Sequence, residues 1–175
     1  MSTLTLPVDA DHDRILGPVD APLTLVEYGD FECPYCGRAY YELKDVEEQM
    51  GAQLRFVFRN FPITSAHPHA EAAAMAAEAA AGQGKFWDMH SMLYENQDAL
   101  DDDSLWEYAS ALGLDLPTFD RDMTSRRFLR KVREDFMSGV RSGVNGTPTF
   151  FINGYRHEGA FDAAALLDAL RHAHV

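Results

Sequence analysis

Cysteine is scarce in this sequence, which has two such residues, Cys33 and Cys36, among 175. A disulfide between them would close a very short loop and would restrict the unfolded chain little, so a stabilising role explains the pair poorly. The chain also does not need a stabilising disulfide, because a domain of this length buries roughly two-thirds of the surface that its unfolded form exposes. Chemistry therefore explains the pair better than stability does.

Long apolar runs are also absent. The most alanine-rich stretch, from Ala70 to Ala81, is interrupted by Glu71 and Glu78, whereas a membrane-spanning helix needs roughly 18 to 20 consecutive apolar residues. The start of the chain has neither the basic segment nor the apolar centre of a secretory signal. We therefore predict no transmembrane segment and a cytoplasmic location.

Basic residues are few relative to acidic ones. Lysine and arginine together number 15 against 28 aspartate and glutamate residues, which gives a net charge of −13. A field of this sign repels phosphate backbones and anionic headgroups. The composition therefore predicts that neither nucleic acid nor a membrane surface is a partner.

The apolar pattern around the cysteines predicts a strand, a helix and a second strand. Residues 23–28 are mostly β-branched, apolar or aromatic between a proline and a glycine, which is typical of a buried central strand. Residues 38–50 have apolar side chains at helical spacing up to Gly51, and residues 54–58 alternate as a strand does. Two strands joined by one helix form a βαβ unit, whose strands are parallel.

The middle of the chain carries helical patterns and no strand signal. These patterns cover residues 68–82, 85–96, 102–112, 116–122 and 125–140. Asp102 and Ser104 are candidate caps for the third of these helices, because short polar side chains accept hydrogen bonds from the first free backbone N–H groups. We expect a helical insertion within an α/β architecture.

Both ends of the chain add strands. Residues 149–152 are apolar and β-prone, and Asn153-Gly154 is a strong hairpin signal before a returning strand at 155–160. Asp162 then caps a final amphipathic helix. At the other end of the chain, residues 3–6 alternate as an edge strand would.

The cysteines flank the dipeptide Pro34-Tyr35 at the predicted start of the first helix. Free N–H groups and the positive end of the helix dipole stabilise a thiolate there, so Cys33 is the expected nucleophile. Cys36 lies one turn further along the helix and is the expected resolving thiol. Pro34 suits a first helical turn, and Tyr35 is expected to tune the reactivity of the pair.

Two other uses of the cysteines are open at this point. They could be half of a zinc site that His67 and His69, or histidines near the end of the chain, complete, although a His-Pro-His spacing is weak support for one. They could also hold zinc or an iron–sulfur cluster between two subunits, as a non-catalytic binding module. His67, His69 and His90 could each act as an acid or a base, but the pattern favours surface or core positions in predicted helices.

Three stretches of the sequence together match a known group of proteins. They are FECPYC at 31–36, QGKFW at 83–87 and GTPTFFING at 146–154. Through them the chain resembles the DsbA-like branch of the thioredoxin superfamily over nearly its whole length. The resemblance implies a thioredoxin fold formed by residues 1–62 and 144–175, with an inserted helical domain at 63–143. We expect no cofactor and no bound metal.

The resemblance also implies roles around Pro148. In this group the bond between Thr147 and Pro148 would be cis, a form that about 5–6% of X–Pro bonds take in folded proteins, and the backbone of Thr147 would face Cys33. An extended substrate could then pair with the free N–H and C=O groups there. Pro148 would keep metal from the thiols, and Pro34 and Tyr35 would contact the substrate.

Glu27 is the anomaly in the first of these predicted strands. A charge buried in a central strand is costly, so we expect the pKa of Glu27 to rise. The resemblance implies that this acid lies beneath the cysteine pair and moves protons to or from the buried thiol. The alternative is that Glu27 extends outward at the edge of the sheet.

Together these features predict a thiol–disulfide oxidoreductase. Cys33 would attack a disulfide of a protein or of a small thiol compound, and Cys36 would resolve the mixed disulfide. Thr147 stands where relatives often have an aliphatic residue, and no export signal is recognised, so the direction of exchange is open. The substrate and the redox partner are open too. A redox-gated interaction domain is a further alternative, because DsbA-like domains also occur fused to transporters.

Overall fold

The computed structural model describes residues 2–173, so residues 1, 174 and 175 of the predicted thioredoxin-like ranges lie outside the described part. The strands are β1 (Arg14–Leu16), β2 (Leu23–Gly29), β3 (Leu54–Asn60), β4 (Thr149–Ile152) and β5 (Tyr155–Arg156). The helices are α1 (Pro34–Met50), α2 (Ala70–Ala81), α3 (Phe86–Tyr94), α4 (Asp102–Ala111), α5 (Leu116–Thr124), α6 (Leu129–Arg141) and α7 (Ala163–His172). Within residues 2–173, no helix has both the length and the apolar character needed to cross a bilayer.

The strands form one sheet in the order β1-β3-β2-β4-β5. β2 and β3 are parallel, with Gly29 opposite Asn60, and α1 connects them, so the predicted βαβ unit is confirmed. β4 lies on the other side of β2 and runs antiparallel to it, with Glu27 opposite Phe150. β2 is therefore the central strand, and the segment that follows it emerges between β3 and β4.

The side chains of β2 alternate between two apolar clusters, one on each face of the sheet. Leu25 belongs to the larger cluster, which contains residues of α1, α3 and α7. Val26 belongs to the smaller cluster with Phe61, against which Phe136 of α6 packs. Because successive side chains of a strand point to opposite faces, Glu27 lies on the same face as Leu25. Helices α1 and α6 thus pack on opposite faces of the sheet.

Helix α2 is central to the inserted segment and is composed mainly of buried alanine. Small side chains allow close approach, and α2 contacts α3, α4, α5 and α6. Its one buried charge, Glu78, accepts hydrogen bonds from Arg14 at 2.6 and 2.8 Å and from the Asn60 amide at 2.8 Å. A buried charge is tolerated when it is paired in this way. The division of residues 63–143 into a separate domain remains a prediction.

The edges of the sheet differ from the prediction. Residues 3–6 do not form a strand, because Thr3 makes only an isolated bridge with Tyr155. The edge strand is instead β1, which pairs antiparallel with β3. Its three residues are too few to show a periodic pattern, so the sequence carried no signal for it. The returning strand predicted at 155–160 is also shorter, since β5 has two residues.

One helix start and one helix cap were also predicted wrongly. The helix expected over 125–140 is α6, which begins later because Arg126 takes a left-handed backbone conformation with φ of 54°. The N-cap of α4 is Asp101, whose side chain accepts a hydrogen bond from the backbone N–H of Ser104 at 2.9 Å. Neither Asp102 nor Ser104 is therefore the cap.

Candidate active site

The two cysteines lie where the chain passes from β2 into α1. Cys33 is the N-cap residue of α1 and has an extended backbone, and Pro34 occupies the first turn. Cys33 is 4% exposed, whereas Cys36, one turn further along the helix, is fully buried. Both are free thiols in this structure. Of the two sulfurs, that of Cys33 is the one a partner can reach.

The turn before β4 approaches Cys33 from the neighbouring strand. The peptide bond between Thr147 and Pro148 is cis. In its protonated form, Sγ of Cys33 donates a hydrogen bond to the carbonyl oxygen of Thr147 at 3.5 Å. The backbone of Thr147 thus faces the sulfur at the helix start.

The two thiols have opposite pKa shifts. A hydrogen bond from the Cys36 thiol, helped by the backbone N–H groups of Cys36 and Tyr35, lowers the pKa of Cys33 from 9.0 to about 5, although partial burial opposes the shift. Burial, and then the hydrogen bond that it donates to Cys33, raises the pKa of Cys36 well above 9.0. At neutral pH the pair therefore consists of a Cys33 thiolate and a Cys36 thiol.

Glu27 lies in the interior rather than at an edge of the sheet. It is 1% exposed, so the alternative of an outward-facing carboxylate is wrong. Burial, and then the negative charges of Cys33 and Glu47, raise the pKa of Glu27 from 4.5 to about 8. Among the described residues, Oε1 of Glu27 has no hydrogen-bond partner. A carboxyl group that can hold or lose a proton near neutral pH thus lies within electrostatic reach of Cys33.

Asp30 was missed by the sequence analysis, yet it fixes the turn before Cys33. Its buried carboxylate accepts hydrogen bonds from the backbone N–H groups of Glu32 at 2.8 Å and Ile63 at 2.9 Å, and it lies 2.7 Å from Nδ1 of His67. The carbonyl oxygen of Asp30 accepts a hydrogen bond from the N–H of Cys33 at 3.1 Å. The available signal was an aspartate directly after a buried strand, where such side chains form local turns.

His67 lies in the loop between β3 and α2, not in a helix as predicted. Burial lowers its pKa, but the hydrogen bond to Asp30 and the charge of Asp30 outweigh this effect, so the pKa lies above 6.5. The negative charges of Cys33 and Glu32 act in the same direction. When protonated, His67 therefore places a positive charge within electrostatic reach of the Cys33 thiolate.

Gln97 ties the loop after α3 to the start of α1. Its side-chain amide donates hydrogen bonds to the carbonyl oxygens of Phe31 and Cys33, each at 2.9 Å. Gly37 provides the space for this side chain, since a Cβ at that position would overlap Oε1 of Gln97. No pattern in the sequence connects these positions, so Gln97 could not be predicted.

The two residues between the cysteines are exposed beside Cys33. Tyr35 is 58% exposed, and the guanidinium of Arg38 lies 5.4 Å from the centre of its ring. The same guanidinium lies 5.9 Å from the ring of Phe161, in the loop before α7. Pro34 and Tyr35 are thus open to a bound partner, and their contact with a substrate stays a prediction.

Within the part of the chain that the structure describes, no histidine completes a metal site with the cysteines. His90 is buried among aromatic rings, including those of Phe58 at 4.8 Å and Trp87 at 5.0 Å between ring centres, and burial lowers its pKa to about 3. This is the predicted core position. Over the described residues, 2–173, no group of three or more His, Cys, Asp or Glu side chains is arranged to hold a metal ion.

The DsbA-like class of the thioredoxin superfamily is defined by three features that this fold contains: a parallel βαβ unit, a cysteine pair at a helix start and a helical insertion before the cis-proline turn. The family model described as thioredoxin matches residues 9–172, and the chain belongs to this family. The predicted fold class, a thioredoxin fold with inserted helices, is therefore confirmed.

Solved structures share the fold over almost the whole chain. BdbD from Bacillus subtilis, in its oxidised form, has a TM-score of 0.85 at 21% identity and matches 98% of this chain and 97% of its own. A thioredoxin-like oxidoreductase from Silicibacter pomeroyi DSS-3 has a TM-score of 0.82 at 29% identity, over 91% of each chain. For α-DsbA1 from Wolbachia pipientis the TM-score is 0.77 at 20% identity, over 95% of this chain and 94% of that one.

The curated relatives that match in sequence are longer proteins. Na(+)/H(+) antiporter NhaA 1 of Mycobacterium sp. (strain KMS) is 47% identical over 170 residues, which are 96% of this chain and 28% of the antiporter. NhaA 1 of Salinispora arenicola is 45% identical over 170 residues, 97% of this chain and 26% of that protein. The chain thus spans about a quarter of the length of these relatives.

Proposed function

We propose that this protein exchanges disulfides with polypeptide substrates through Cys33 and Cys36. The observation that carries the proposal is the contrast between the two sulfurs. The pKa of Cys33, at the helix start, is about 5, whereas burial keeps Cys36 protonated. A thiolate with a second thiol within hydrogen-bonding distance is the arrangement that disulfide exchange requires. The family and the similarity to the Silicibacter pomeroyi oxidoreductase support this class of activity.

The low pKa of Cys33 favours the oxidising direction. Stabilisation of its thiolate lowers the free energy of the reduced protein relative to the disulfide form, which makes that disulfide a stronger oxidant. A thiol of low pKa is also a better leaving group. We therefore infer that the oxidised protein donates its disulfide to substrate thiols.

The exchange takes place in two displacements. A substrate thiolate attacks Sγ of Cys33 in the Cys33–Cys36 disulfide, which forms a mixed disulfide and releases the sulfur of Cys36 as a thiolate. A second substrate thiolate attacks the substrate sulfur of the mixed disulfide, which closes the substrate disulfide and releases the Cys33 thiolate. The substrate loses two electrons and the protein gains them. A disulfide of a redox partner then restores the oxidised protein, and the same steps in reverse describe reduction.

Glu27 supplies the proton that the departing Cys36 takes up. With a pKa of about 8, Glu27 is mostly protonated at neutral pH, and the pKa of Cys36 is higher still. Transfer of the proton from the carboxyl group to the Cys36 thiolate is therefore downhill. In the reverse direction the Glu27 carboxylate accepts the proton of the resolving thiol.

Thr147 and Pro148 form the binding site for the substrate backbone. The carbonyl oxygen of Thr147 lies 3.5 Å from Sγ of Cys33, so a strand that pairs with Thr147 brings its own cysteine to that sulfur. Pairing through main-chain groups depends little on side-chain sequence and suits a range of polypeptides. The exposed Pro34 and Tyr35 flank the same sulfur.

Oxidative refolding of a reduced test protein, such as ribonuclease, examines the proposal. Oxidised wild-type protein should restore ribonuclease activity stoichiometrically, and Cys33→Ala should not. Reduced Cys36→Ala should attack a disulfide of oxidised insulin, release one insulin thiol and remain as a trapped mixed disulfide that mass spectrometry detects. Reduction of insulin with dithiothreitol measures the opposite direction. Equal rates for wild type and Cys33→Ala in both assays would remove the catalytic proposal. Equilibration of the pair with glutathione buffers decides the direction.

The predicted cytoplasmic location conflicts with an oxidising role. Glutathione and thioredoxin keep thiols reduced in the cytosol, whereas oxidising compartments preserve disulfides. Fractionation of cells, followed by trapping of thiols with an alkylating agent, distinguishes a cytosolic reductase from an oxidase in another compartment. A reduced pair in the cytosolic fraction supports a reductase, and an oxidised pair outside the cytosol supports an oxidase.

A second function is favoured by the relatives that share almost the whole chain. They are named as Na(+)/H(+) antiporters, and the shared part is 28% of their length in the first case. We propose that this fold also serves as a redox-responsive module of such a transporter. The test replaces the matching segment of the Mycobacterium antiporter with this chain, or with its Cys33→Ser variant, and measures Na⁺/H⁺ exchange in vesicles. Equal exchange under oxidising and reducing conditions for both chimeras contradicts this role.

A further inference from the structure

Positive charge is concentrated in one part of a strongly acidic chain. Residues 121–141 contain seven of its 15 basic residues and three of its 28 acidic ones. An open groove of about 640 Å³ lies on α6 and the turn before it. Its lining includes Arg126, Arg127, Arg130, Arg133 and Arg141. We call these five arginines the basic face.

Exposed apolar side chains lie among these arginines. The exposed positions of α6 form one stripe along the helix: Arg130, Arg133, Glu134, Met137, Val140 and Arg141. Met137 is 43% exposed and Val140 is 44% exposed, and Leu6, which lines the groove, is 51% exposed. Other residues of α6, such as Val132 and Gly139, form its buried side. The outer stripe is therefore amphipathic in its own right, with apolar residues between cations.

Two arginines of the basic face are unpaired. Three others form ion pairs: Arg126 with Glu71 and Arg130 with Glu134 at the surface, and Arg127 with the buried Asp122. Within residues 2–173, Arg133 and Arg141 have no hydrogen-bond or ion-pair partner. Exposed ion pairs contribute little to stability, so other anions can replace the carboxylates of Glu71 and Glu134. The basic face therefore offers guanidinium groups to an anionic surface.

We propose that the basic face binds the headgroups of an anionic lipid bilayer. Arginine side chains bind phosphates with their guanidinium groups while apolar side chains between them enter the boundary of the acyl region. Met137, Val140 and Leu6 are single apolar residues among cations, which suits shallow insertion. A protein partner would instead need a contiguous apolar centre with charges at its rim.

The net charge of −13 does not prevent this contact. At physiological ionic strength the field of an exposed charge is screened beyond about 8 Å, so carboxylates on other faces of the protein act weakly at the headgroups. The arginines contact those headgroups directly. The expectation from composition treated the charge as evenly spread, whereas seven of the 15 basic residues lie within residues 121–141.

The basic face and the cysteine pair lie in different layers of the fold. Helix α6 packs through Phe136 on the sheet face opposite α1, and Cys33 lies at the start of α1. A bilayer against the outer stripe of α6 therefore leaves Cys33 open to substrates. The inference does not depend on thiol chemistry, because binding is measured without any exchange reaction.

Sedimentation of the full chain with lipid vesicles tests the proposal. Vesicles that contain phosphatidylglycerol should bind the protein, vesicles of phosphatidylcholine alone should not, and added salt should weaken the binding. Each basic residue near an anionic surface contributes about 1 kcal/mol, so Arg133→Gln or Arg141→Gln should weaken binding about fivefold and the double variant about 30-fold. Met137→Ser should weaken it too.

Arg171→Gln is the matched control, because Arg171 is exposed on α7 and loses the same charge. It should bind like the wild type, and all variants should keep the wild-type circular dichroism spectrum. Absence of binding to phosphatidylglycerol vesicles, or an equal loss in Arg171→Gln and Arg133→Gln, overturns the proposal. Binding of polyglutamate without binding of vesicles also overturns it, since the face would then serve an acidic protein.

Discussion

The buried carboxylate of Asp30 lies 2.7 Å from Nδ1 of His67, and this contact ties the loop after β3 to the turn that presents Cys33. The same carboxylate accepts the backbone N–H of Ile63 at 2.9 Å. One side chain therefore positions two backbone segments that border the reactive sulfur. The negative charge of Asp30 also raises the pKa of His67.

Asp30→Asn should lower the pKa of His67, because it keeps the shape of the side chain and removes the charge. In the wild type the pKa of His67 lies above 6.5. Burial lowers this pKa, but the hydrogen bond to Asp30 and the charge of Asp30 outweigh burial. A raised histidine pKa stabilises the fold fully below the unfolded value and loses this effect as pH rises through the folded value. Asp30→Asn should therefore destabilise the protein more at acidic than at alkaline pH, as urea unfolding measures.

Titration of His67 by nuclear magnetic resonance measures the pKa itself in both proteins. His67→Gln provides the control, since it removes the titrating group and keeps Asp30. Its unfolding free energy should lack this component of the pH dependence. An unchanged His67 pKa in Asp30→Asn would mean that another group raises it.

The central part of the fold was predictable because its signals are local. β2 and β3 are apolar strands of ordinary length, and α1 shows helical spacing up to a glycine, so the βαβ unit followed from pattern alone. The cysteine pair could be placed at a helix start for the same reason. Glu27 could be predicted to be buried, because it interrupts an apolar strand.

Other parts of the site depend on contacts between distant segments. Gln97 reaches the carbonyl of Phe31 across 66 positions in the chain, and His67 meets Asp30 across 37. Glutamine and histidine are common in loops, so neither type of residue signals such a contact. β1 could not be predicted from the sequence either, since three residues become a strand only when β3 lies beside them. The net charge is a sum over the sequence, so it does not show that residues 121–141 contain seven of the 15 basic residues.

Alkylation of reduced protein by iodoacetamide should follow the thiolate fraction of Cys33. The rate should rise with a midpoint of about pH 5, the pKa that the Cys36 hydrogen bond and the helix N–H groups produce, and should stay level toward pH 9. Mass spectrometry of the digested protein should locate the label on Cys33. Cys36 should react only after unfolding, because it is fully buried.

Stability gives an independent measure of the same shift. A thiol whose folded pKa is lowered stabilises the fold fully above its unfolded value of 9.0 and loses this effect as pH falls through about 5. Reduced wild type should therefore gain stability over Cys33→Ser as pH rises from about 5 to about 9. A constant difference between the two proteins over this range would contradict a perturbed thiol.

Glu27→Gln should remove a pH dependence that acts in the opposite sense. The folded pKa of Glu27 is about 8, mainly through burial, against 4.5 when exposed. A raised carboxyl pKa stabilises the fold fully below the unfolded value and loses this effect as pH rises through the folded value. Between these values wild type should lose on the order of 4 kcal/mol of unfolding free energy more than Glu27→Gln.

Glu47→Gln is the useful comparison for Glu27, because Glu47 is only partly buried and its pKa is raised to about 6, again chiefly by burial. Its effect should be smaller and should end at lower pH. Activity adds a second measurement. With no proton to give, Glu27→Gln should slow the step that releases Cys36, so single-turnover oxidation of a thiol peptide should become slower and lose its dependence on an acid near pH 8.

Gly37→Ala should disturb the site without touching either sulfur. A Cβ at Gly37 would overlap Oε1 of Gln97, so the Gln97 amide must leave the carbonyl oxygens of Phe31 and Cys33. Two such lost hydrogen bonds should cost about 1 to 3 kcal/mol of unfolding free energy, although alanine is the better helix former. Gly146→Ala is the matched control, because a Cβ there meets no atom within 4 Å.

Gln97→Ala should be as destabilised as Gly37→Ala, and the double variant should lose little more, because both changes remove the same contacts. Additive losses in urea unfolding would show that Gly37 is needed for a reason other than Gln97.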